Sequence, residues 1–353
     1  MPAALRVAMV APPWYELPPR GYGGIESVCA DLADGLTARG VAVTVIGAGR
    51  NGTQAAFVAT ADEPQYPRLG TPMPDAMHAA ALPDILAGLE VDLVHDHSLL
   101  GPLTACGRDV PTVVTAHGPV DGELGRYYAR LGRRVQLVAI SAAQRADAPG
   151  LNWVATVHNA VDVRAFPYQA DKCDYALFLG RLSPDKGLAE AIAAVGRAGL
   201  ELVVAAKVSE PAERAYFDAA IRPLLGRGVR WAGEADRTRK RQLLAGARCL
   251  LFPVAWAEPF GMVMIEALAC GTPVVALRRG SVPEVVRDGV TGWVCDSPAE
   301  LPAALRRVAE LDPAACRADA LARFDAGRMC EDYLRVYRRV LRHRPASRGR
   351  LVG

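Results

Sequence analysis

The amino-acid sequence predicts an α/β protein made of two doubly wound, Rossmann-like domains. Short apolar runs alternate with longer helical patterns almost throughout the chain, which is typical of doubly wound folds. Most of these runs are continuously apolar and rich in Val, Leu and Ala, as expected of strands buried on both faces of a parallel sheet. The length of 353 residues is too great for one typical core and suits two domains.

The apolar runs form two series, separated by segment 163–173, which contains Pro167 and polar residues. A helical pattern at 25–39 ends at Gly40, and an amphipathic pattern at 327–341 follows the second series. We therefore predict domains at 1–165 and 166–326, then the helix 327–341 and a basic tail at 342–353. The predicted strands are 5–12, 41–47, 91–97, 111–117, 136–141, 153–158, 175–180, 201–206, 229–233, 249–254, 273–277 and 292–295.

Composition excludes several classes of protein. Apolar residues make up 51% and charged residues 22% of the chain, the profile of a folded soluble protein. The net charge of +3 is too small to indicate a nucleic-acid partner, and no apolar run reaches the roughly 18 residues of a membrane span. The eight cysteines include no Cys-x-x-Cys pair, so we predict neither a zinc site nor a disulfide framework and expect a reducing cytoplasm.

The segment 180–187 follows the first strand of the second series and is a candidate diphosphate site. Ser183 suits a helix N-cap and Pro184 the first helical position. Lys186 would then lie in the first helical turn, where the macrodipole disfavours a cation, and Arg181 lies just before it. Two cations beside free backbone N–H groups suit a diphosphate. The alternative, that both are solvated surface cations, stays open.

A pair of acidic residues, Glu258 and Glu266, follows the strand at 249–254. The apolar pattern predicts a helix from about 261 to 270, with Glu258 in the loop before it and Glu266 inside it. A buried carboxylate needs partners, and ribose hydroxyls would supply them, while Glu258 and the backbone around Phe260, Gly261 and Met262 would bind sugar hydroxyls. The alternative is an exposed Glu266 on a surface helix and Glu258 as an ordinary loop acid.

The first domain offers a glycine turn and three histidines. Gly23 and Gly24 precede the first helix in a pattern that is not Gly-x-Gly-x-x-Gly, so NAD is not predicted, but the turn allows close approach of a ligand. His95 and His97 alternate along a strand; a metal pair is conceivable, and structural roles are favoured because no third ligand has local spacing. His117, where the next strand ends, is a candidate to contact a transferred sugar.

Basic segments raise a separate question about partners. Segment 125–134 carries four arginines and two tyrosines and would suit an acidic acceptor or a peripheral membrane contact. A solvated basic helix is the favoured interpretation, and the basic tail is expected to be a disordered end.

Taken together, these motifs resemble the retaining glycosyltransferases of family 4, which have the GT-B fold. The resemblance covers nearly the whole chain. It rests on segments 23–26 (Gly-Gly-Ile-Glu), 180–187, the two glutamates of 258–266, 270–274 (Cys-Gly-Thr-Pro-Val), 281–286 and 288–292. It implies two Rossmann-like domains that face across a cleft holding the active site, with the C-terminal helix crossing back to pack on the first domain.

The resemblance also implies an activity: retaining, metal-independent transfer of a sugar from a UDP- or GDP-type donor to a hydroxyl acceptor, with no cofactor. By this resemblance, Arg181 and Lys186 would bind the donor diphosphate, Glu258 would bind sugar hydroxyls, and Glu266 would bind the ribose. Phe260, Gly261 and Met262 would line the sugar pocket. Gly23 and Gly24 would form the loop near the phosphates, and His117 would contact the sugar. One departure is Ala206, where many relatives have glycine, so the backbone near the nucleotide base is expected to differ.

Three other functions are compatible with the same motifs. A nucleotide-sugar epimerase would act without an acceptor, and a sugar phosphorylase would need phosphate or a lysine-held cofactor. A non-catalytic nucleotide-sugar-binding partner is the third hypothesis, although intact Arg181, Lys186, Glu258 and Glu266 argue against a decayed site. The acceptor, the donor's base and sugar, the linkage and the oligomeric state do not follow from the sequence.

Overall fold

The computed structural model describes residues 4–208, 210–226 and 228–342. Within them the chain forms two compact units. Unit 1 comprises the residues up to Pro19, Gly23–His158 and the residues from Ala326 on, and unit 2 comprises Arg20–Tyr22 and Asn159–Asp325. The units therefore divide after His158, earlier than the 165/166 boundary expected from the sequence. The predicted basic tail lies outside the described residues after Arg342.

Unit 1 is built on a parallel sheet in which, over the described residues, seven strands follow the order β3-β2-β1-β4-β5-β6-β7. Its strands are β1 (Arg6–Val10), β2 (Ala42–Ala48), β3 (Ala56–Ala61), β4 (Leu93–Asp96), β5 (Thr112–Ala116), β6 (Gln136–Ala139) and β7 (Trp153–Thr156). Its helices are α1 (Gly24–Thr37), α2 (Pro72–Ala87), α3 (Glu123–Leu131), α4 (Ala142–Asp147) and, from the end of the chain, α12 (Ala326–Arg342).

Unit 2 repeats the design. Its parallel sheet has, over the described residues, six strands in the order β10-β9-β8-β11-β12-β13. These are β8 (Tyr175–Arg181), β9 (Glu201–Lys207), β10 (Val229–Gly233), β11 (Cys249–Phe252), β12 (Val274–Leu277) and β13 (Gly292–Cys295). The helices are α5 (Leu188–Ala198), α6 (Pro211–Tyr216), α7 (Arg237–Gly246), α8 (Met262–Ala269), α9 (Val282–Val285), α10 (Leu301–Arg306) and α11 (Pro313–Arg323).

The strands behave as their composition predicts. Every residue of β4, β5, β11 and β12 is buried, because both faces of these parallel sheets are covered. All twelve predicted strands are present, and the prediction of two doubly wound parallel units is confirmed. The sequence analysis missed β3, an edge strand without a fully buried residue; three of its six residues are Ala, which is depleted in strands.

Helix α12 packs on α1 within unit 1. Gly35 of α1 allows the close approach, since a Cβ atom there would collide with the Cys330 sulfur. The contact is continued by Arg39, whose guanidinium lies 2.7 Å from the Glu331 carboxylate. The last helix of the chain therefore belongs to the core of unit 1.

In both sheets the strand order reverses beside the first strand, between β1 and β4 and between β8 and β11. In open α/β sheets, ligands bind beyond the carboxyl ends of the strands at such a switch point. The loops after β8 and β11 are thus the place to look for a site in unit 2, and those after β1, β4 and β5 in unit 1.

Candidate functional site

The loops that follow β8 and β11 are in direct contact. The backbone N–H of Ala255 donates a 2.9 Å hydrogen bond to the Asp185 carbonyl. Gly187 has φ +76°, and a Cβ atom there would collide with the Pro253 carbonyl oxygen. Because φ in this region disfavours any other residue, Gly187 lets the two loops touch.

Lys186 and Glu258 meet across this contact. Lys186 Nζ lies 2.6 Å from Glu258 Oε2, and the two side chains are only 17% and 13% exposed. The same ammonium lies 4.9 Å from the ring centre of Trp256, within cation–π distance. The structure thus brings together two residues that the sequence placed in one site, although they are far apart along the chain.

The local geometry of Lys186 differs from the sequence prediction. Pro184–Lys186 forms a separate 3-10 turn, and α5 begins only after the left-handed Gly187. Lys186 is therefore not in the first turn of an α-helix. In the described part of the chain the Ser183 side chain makes no capping hydrogen bond, and the Lys186 N–H that a cap would bind donates instead to the Ser183 carbonyl at 3.0 Å.

Arg181 ends β8 and lies half-exposed, 3.9 Å from the Glu210 carboxylate. In the sheet register it pairs with Lys207, the last residue of β9. The Lys207 ammonium lies 5.2 Å from the ring centre of Tyr22. The carboxyl edge of the sheet therefore carries a further cation, Lys207, which the sequence analysis did not identify.

The start of α8 presents backbone rather than side chains. Gly261 precedes the helix with φ +76°, and Met262 is its first residue. The ring of Phe260 is 2% exposed and packs edge-on against Phe324, so Phe260 offers only its backbone to a ligand. Ser281 fixes this loop, since its hydroxyl donates a 2.9 Å hydrogen bond to the Phe260 carbonyl.

Glu266 is buried, at 7% exposure, so the alternative of an exposed surface residue is wrong. It is not without a protein partner, because Lys240 Nζ of α7 lies 2.5 Å from its Oε1. The sequence analysis missed Lys240. The available signal was the basic run at the start of α7, where the helix dipole disfavours cations.

In unit 1 the three candidate histidines lie together. His97 Nδ1 is 2.9 Å from His117 Nε2, and the His95 and His97 rings are 4.0 Å apart. Burial lowers the pKa of His117 to about 4, that of His95 to about 3 and that of His97 well below its usual value, so all three are neutral at pH 7. Among the described residues, no group of three or more His, Cys, Asp or Glu could hold a metal ion.

The glycine turn before α1 of unit 1 has a backbone conformation that favours glycine. Gly23 precedes α1 with φ +140°, and Gly24 is the first residue of α1. Two residues further on, Glu26 is 3% exposed, and burial raises its pKa to about 8. A neutral carboxyl therefore lies beside the helix start that the resemblance assigns to donor phosphates.

The basic segment 125–134 spans most of α3 and a short turn after it, Gly132–Arg134. Arg126 is exposed and lies 3.6 Å from the Glu123 carboxylate. No helix in the described ranges is long and apolar enough to cross a membrane. Contact of this segment with an acidic acceptor or a membrane surface stays a prediction.

Two family models together match most of the chain. One is described as Glycosyltransferase Family 4 and matches residues 22–165; the other, Glycosyl transferases group 1, matches residues 164–322. The glycogen synthase of Mycobacterium tuberculosis is 29% identical over 375 residues, covering 90% of this chain and 89% of that protein. The alpha-maltose-1-phosphate synthase of Mycolicibacterium smegmatis is 30% identical over 396 residues, covering 95% and 100%.

Among solved structures, the crystal structure of a glycosyltransferase involved in avilamycin A biosynthesis superposes with a TM-score of 0.74 at 28% identity, covering 96% of this chain and 98% of that one. The match therefore extends over both units, and the resemblance drawn from the motifs is confirmed. With both halves matched and a curated relative similar over its whole length, the chain belongs to the group 1, family 4 glycosyltransferases.

Proposed function

We propose that this glycosyltransferase moves a sugar from a nucleoside-diphosphate sugar to a hydroxyl acceptor, with retention at the anomeric carbon and without a metal ion. The observation that carries the proposal is the Lys186–Glu258 ion pair at the switch point of unit 2, at the sheet edge where Arg181 ends β8. A nucleotide donor has an anionic diphosphate and a polyhydroxylated sugar, and this edge offers cations for the first and a carboxylate for the second.

The leaving diphosphate gains negative charge as the sugar departs. In the proposal, Arg181 and Lys186 stabilise that charge as preorganised cations. A charge-assisted hydrogen bond of this kind contributes about 1.5–3 kcal/mol. Loss of either cation should therefore cost roughly one to two decades in donor affinity or rate.

The two acidic residues take the neutral part of the donor. Glu258, held by Lys186, accepts hydrogen bonds from sugar hydroxyls. Glu266 is held by Lys240 through Oε1, and its second carboxylate oxygen accepts the ribose hydroxyls. A buried carboxylate needs such partners, and a sugar hydroxyl is a neutral donor that leaves the ion pair intact.

For retention, the acceptor attacks from the face that the phosphate leaves. The bond from the anomeric carbon to the phosphate oxygen breaks, and a bond to the acceptor oxygen forms. The proton of the acceptor hydroxyl passes to the departing phosphate. His117 contacts the transferred sugar in this scheme, and Gly23 and Gly24 let the backbone approach the phosphates.

Calorimetric titration with UDP, GDP and ADP, with EDTA present, tests the donor assignment. We expect one nucleotide to bind, and Arg181→Ala and Lys186→Ala each to weaken it by roughly 10- to 100-fold. Arg230→Ala is the matched control, because Arg230 is a half-exposed cation on β10 that pairs with Glu201; it should bind normally. Binding of none of the three nucleotides would overturn the donor assignment.

The chemistry is tested by incubating the bound nucleotide's glucose or mannose conjugate with a panel of hydroxyl acceptors that includes a glucan and a hexose 1-phosphate. NMR of the product reports the anomeric configuration. A product of inverted configuration would contradict retention, and loss of turnover in EDTA would contradict metal independence. Turnover that requires no acceptor and yields an isomerised donor would favour an epimerase.

A further inference from the structure

The histidine cluster of unit 1 contains a residue with no role in the scheme above. His97 follows β4 and is 4% exposed, and its Nδ1 lies 2.9 Å from His117 Nε2. The two rings are stacked, with centroids 5.2 Å apart. A hydrogen bond between two neutral imidazoles uses one hydrogen, so one ring donates and the other accepts.

On its other side, His97 is braced by a hydrogen-bonded chain that reaches α12. Tyr337 Oη lies 2.7 Å from His95 Nδ1, and His95 Nε2 lies 2.8 Å from Thr115 Oγ1. Thr115 Oγ1 in turn lies 2.7 Å from Tyr333 Oη. Each of these four side chains has one hydrogen to donate, so all three hydrogen bonds form whichever end of the series the donors point toward.

This series of hydrogen bonds holds the His95 ring, which lies against His97. Within the described residues, His117 is the one hydrogen-bonding partner of the His97 ring. Tyr333 and Tyr337 are both fully buried, so α12 fixes the wall against which the His97 ring rests. His97 Nδ1 therefore stays directed at His117. Its other nitrogen, Nε2, is buried and has no hydrogen-bond partner among the described residues.

The buried Nε2 decides which ring donates. If His117 donated, His97 would carry its hydrogen on Nε2, as a buried N–H without a protein acceptor. If His97 donates from Nδ1, only a lone pair is left at Nε2. Buried N–H groups without an acceptor are rarer in folded proteins than buried acceptors without a donor, which favours donation by His97.

The tautomer of His117 follows from this choice. A neutral imidazole carries one hydrogen. When Nε2 of His117 accepts from His97, the hydrogen of His117 must be on Nδ1. We propose that His97 is a positioning residue that holds His117 as the Nδ1–H tautomer, so that the half-buried His117 ring offers an N–H donor to an oxygen of the bound sugar.

His117 is then a hydrogen-bond donor and not the base that takes the acceptor's proton, consistent with a scheme in which that proton passes to the phosphate. The sugar contact of His117 rests on the proposed function. The tautomer does not, because it depends only on contacts within unit 1.

NMR of protein with ¹⁵N-labelled histidine measures the tautomer directly, since long-range ¹H–¹⁵N correlations distinguish a protonated from an unprotonated ring nitrogen. His117→Gln assigns the His117 signals. We expect Nδ1–H at His117 in the wild-type protein and a mixture of tautomers in His97→Leu. His97→Asn should retain the wild-type form, because its amide nitrogen takes the place of Nδ1 as a donor.

An Nε2–H tautomer at His117 in the wild type, or a His117 spectrum unchanged by His97→Leu, would overturn the proposal. If His97→Leu does not fold, the tautomer of His117 in the wild-type protein is sufficient to test the proposal. Tyr337→Phe, which removes one of the hydroxyls that brace His95, provides a second variant. In Tyr337→Phe we expect the Nδ1–H form of His117 to persist, because the His97–His117 bond is intact.

Kinetic measurements then test the positioning role of His97 separately from the proposed function. We expect His97→Leu to lower kcat/KM for the sugar nucleotide by about 3- to 10-fold, the loss of one neutral hydrogen bond, mostly through kcat, and His97→Asn to restore most of it. If His117 has the expected tautomer but the kinetics of His97→Leu are unchanged, the positioning role of His97 is wrong. Nucleotide binding, and hence the proposed function, would be unaffected by that result. Failure of nucleotide binding in the wild type would instead sink the proposed function.

Discussion

Lys186 and Glu258 form a largely buried ion pair, with Nζ 2.6 Å from Oε2, and this contact, together with the Ala255–Asp185 hydrogen bond, joins the loops after β8 and β11. The cation that is assigned to the donor diphosphate therefore orients the carboxylate that is assigned to the donor sugar. Under the proposed function, Lys186 would bind the diphosphate and Glu258 the sugar of the same donor.

Glu258→Gln tests this division of labour. The variant removes a negative charge beside the diphosphate site and weakens the acceptor for sugar hydroxyls. We expect the free nucleoside diphosphate to bind as in the wild type or more tightly, and the sugar nucleotide to lose about tenfold in affinity. Calorimetry with both ligands measures the ratio, and equal losses for the two would show that Glu258 does not contact the sugar.

Lys240 and Glu266 should be coupled in stability. Lys240→Ala leaves the buried Glu266 carboxylate unpaired, so we expect a loss of about 3 kcal/mol in the free energy of unfolding. The double variant Lys240→Met, Glu266→Gln should recover most of it, since neither charge is then present. Urea denaturation measures both. As a control, Arg230→Ala breaks a half-exposed pair and should cost under about 1 kcal/mol.

Gly187 and Gly196 should respond to alanine in opposite directions. Gly187 has φ +76° and faces the Pro253 carbonyl, so Gly187→Ala should destabilise by about 2 kcal/mol or more and weaken nucleotide binding through Lys186. Gly196 is exposed in α5 with no atom near its absent Cβ; Gly196→Ala should stabilise by about 0.5–1 kcal/mol. Urea denaturation of the two variants decides, and a stable Gly187→Ala with normal binding would contradict the tight loop contact.

The close approach of α1 and α12 can be tested by a compensating pair. Gly35→Ala places a Cβ atom against the Cys330 sulfur, and overpacking of this kind costs about 1–3 kcal/mol. Removing the sulfur with Cys330→Ala should make the same Gly35→Ala change nearly neutral. A double-mutant cycle by thermal or urea denaturation measures the coupling; simple additivity of the two changes would argue against the contact.

Glu26 predicts a dependence of stability on pH. Burial raises its pKa from 4.5 to about 8 in the folded protein, so between these values the native state binds more protons than the unfolded state. Its contribution is fully present below about pH 4.5 and is lost as pH rises to about 8, with a slope of at most about 1.4 kcal/mol per pH unit. Unfolding of the wild type and of Glu26→Gln from pH 5 to 8 should show this slope in their difference; a flat difference would contradict it.

Much of the fold follows from local pattern. Continuous apolar runs identify strands that are buried on both faces, and the helix from Met262 to Ala269 follows from its own composition and the glycines at either end. The order of motifs along the chain was enough to recognise the family. The edge strand β3 was missed because three of its six residues are Ala, a residue depleted in strands. The limits of the turn at Pro184–Lys186 were missed because the left-handed conformation of Gly187, which ends that turn, does not follow from the local sequence pattern.

The residue types of the candidate donor site were determined by the sequence: two cations after one strand and two carboxylates after another, beyond the carboxyl ends of strands in a doubly wound fold. Only the tertiary structure decided their pairing, Lys186 with Glu258, Lys240 with Glu266 and His97 with His117. Each pair joins side chains from different elements at 2.5–2.9 Å, and such distances depend on how strands and helices pack. Local propensity acts over a few residues, whereas packing acts across the whole sheet. The sequence alone therefore identifies the chemical groups of the candidate site, and the tertiary structure determines which of them pair.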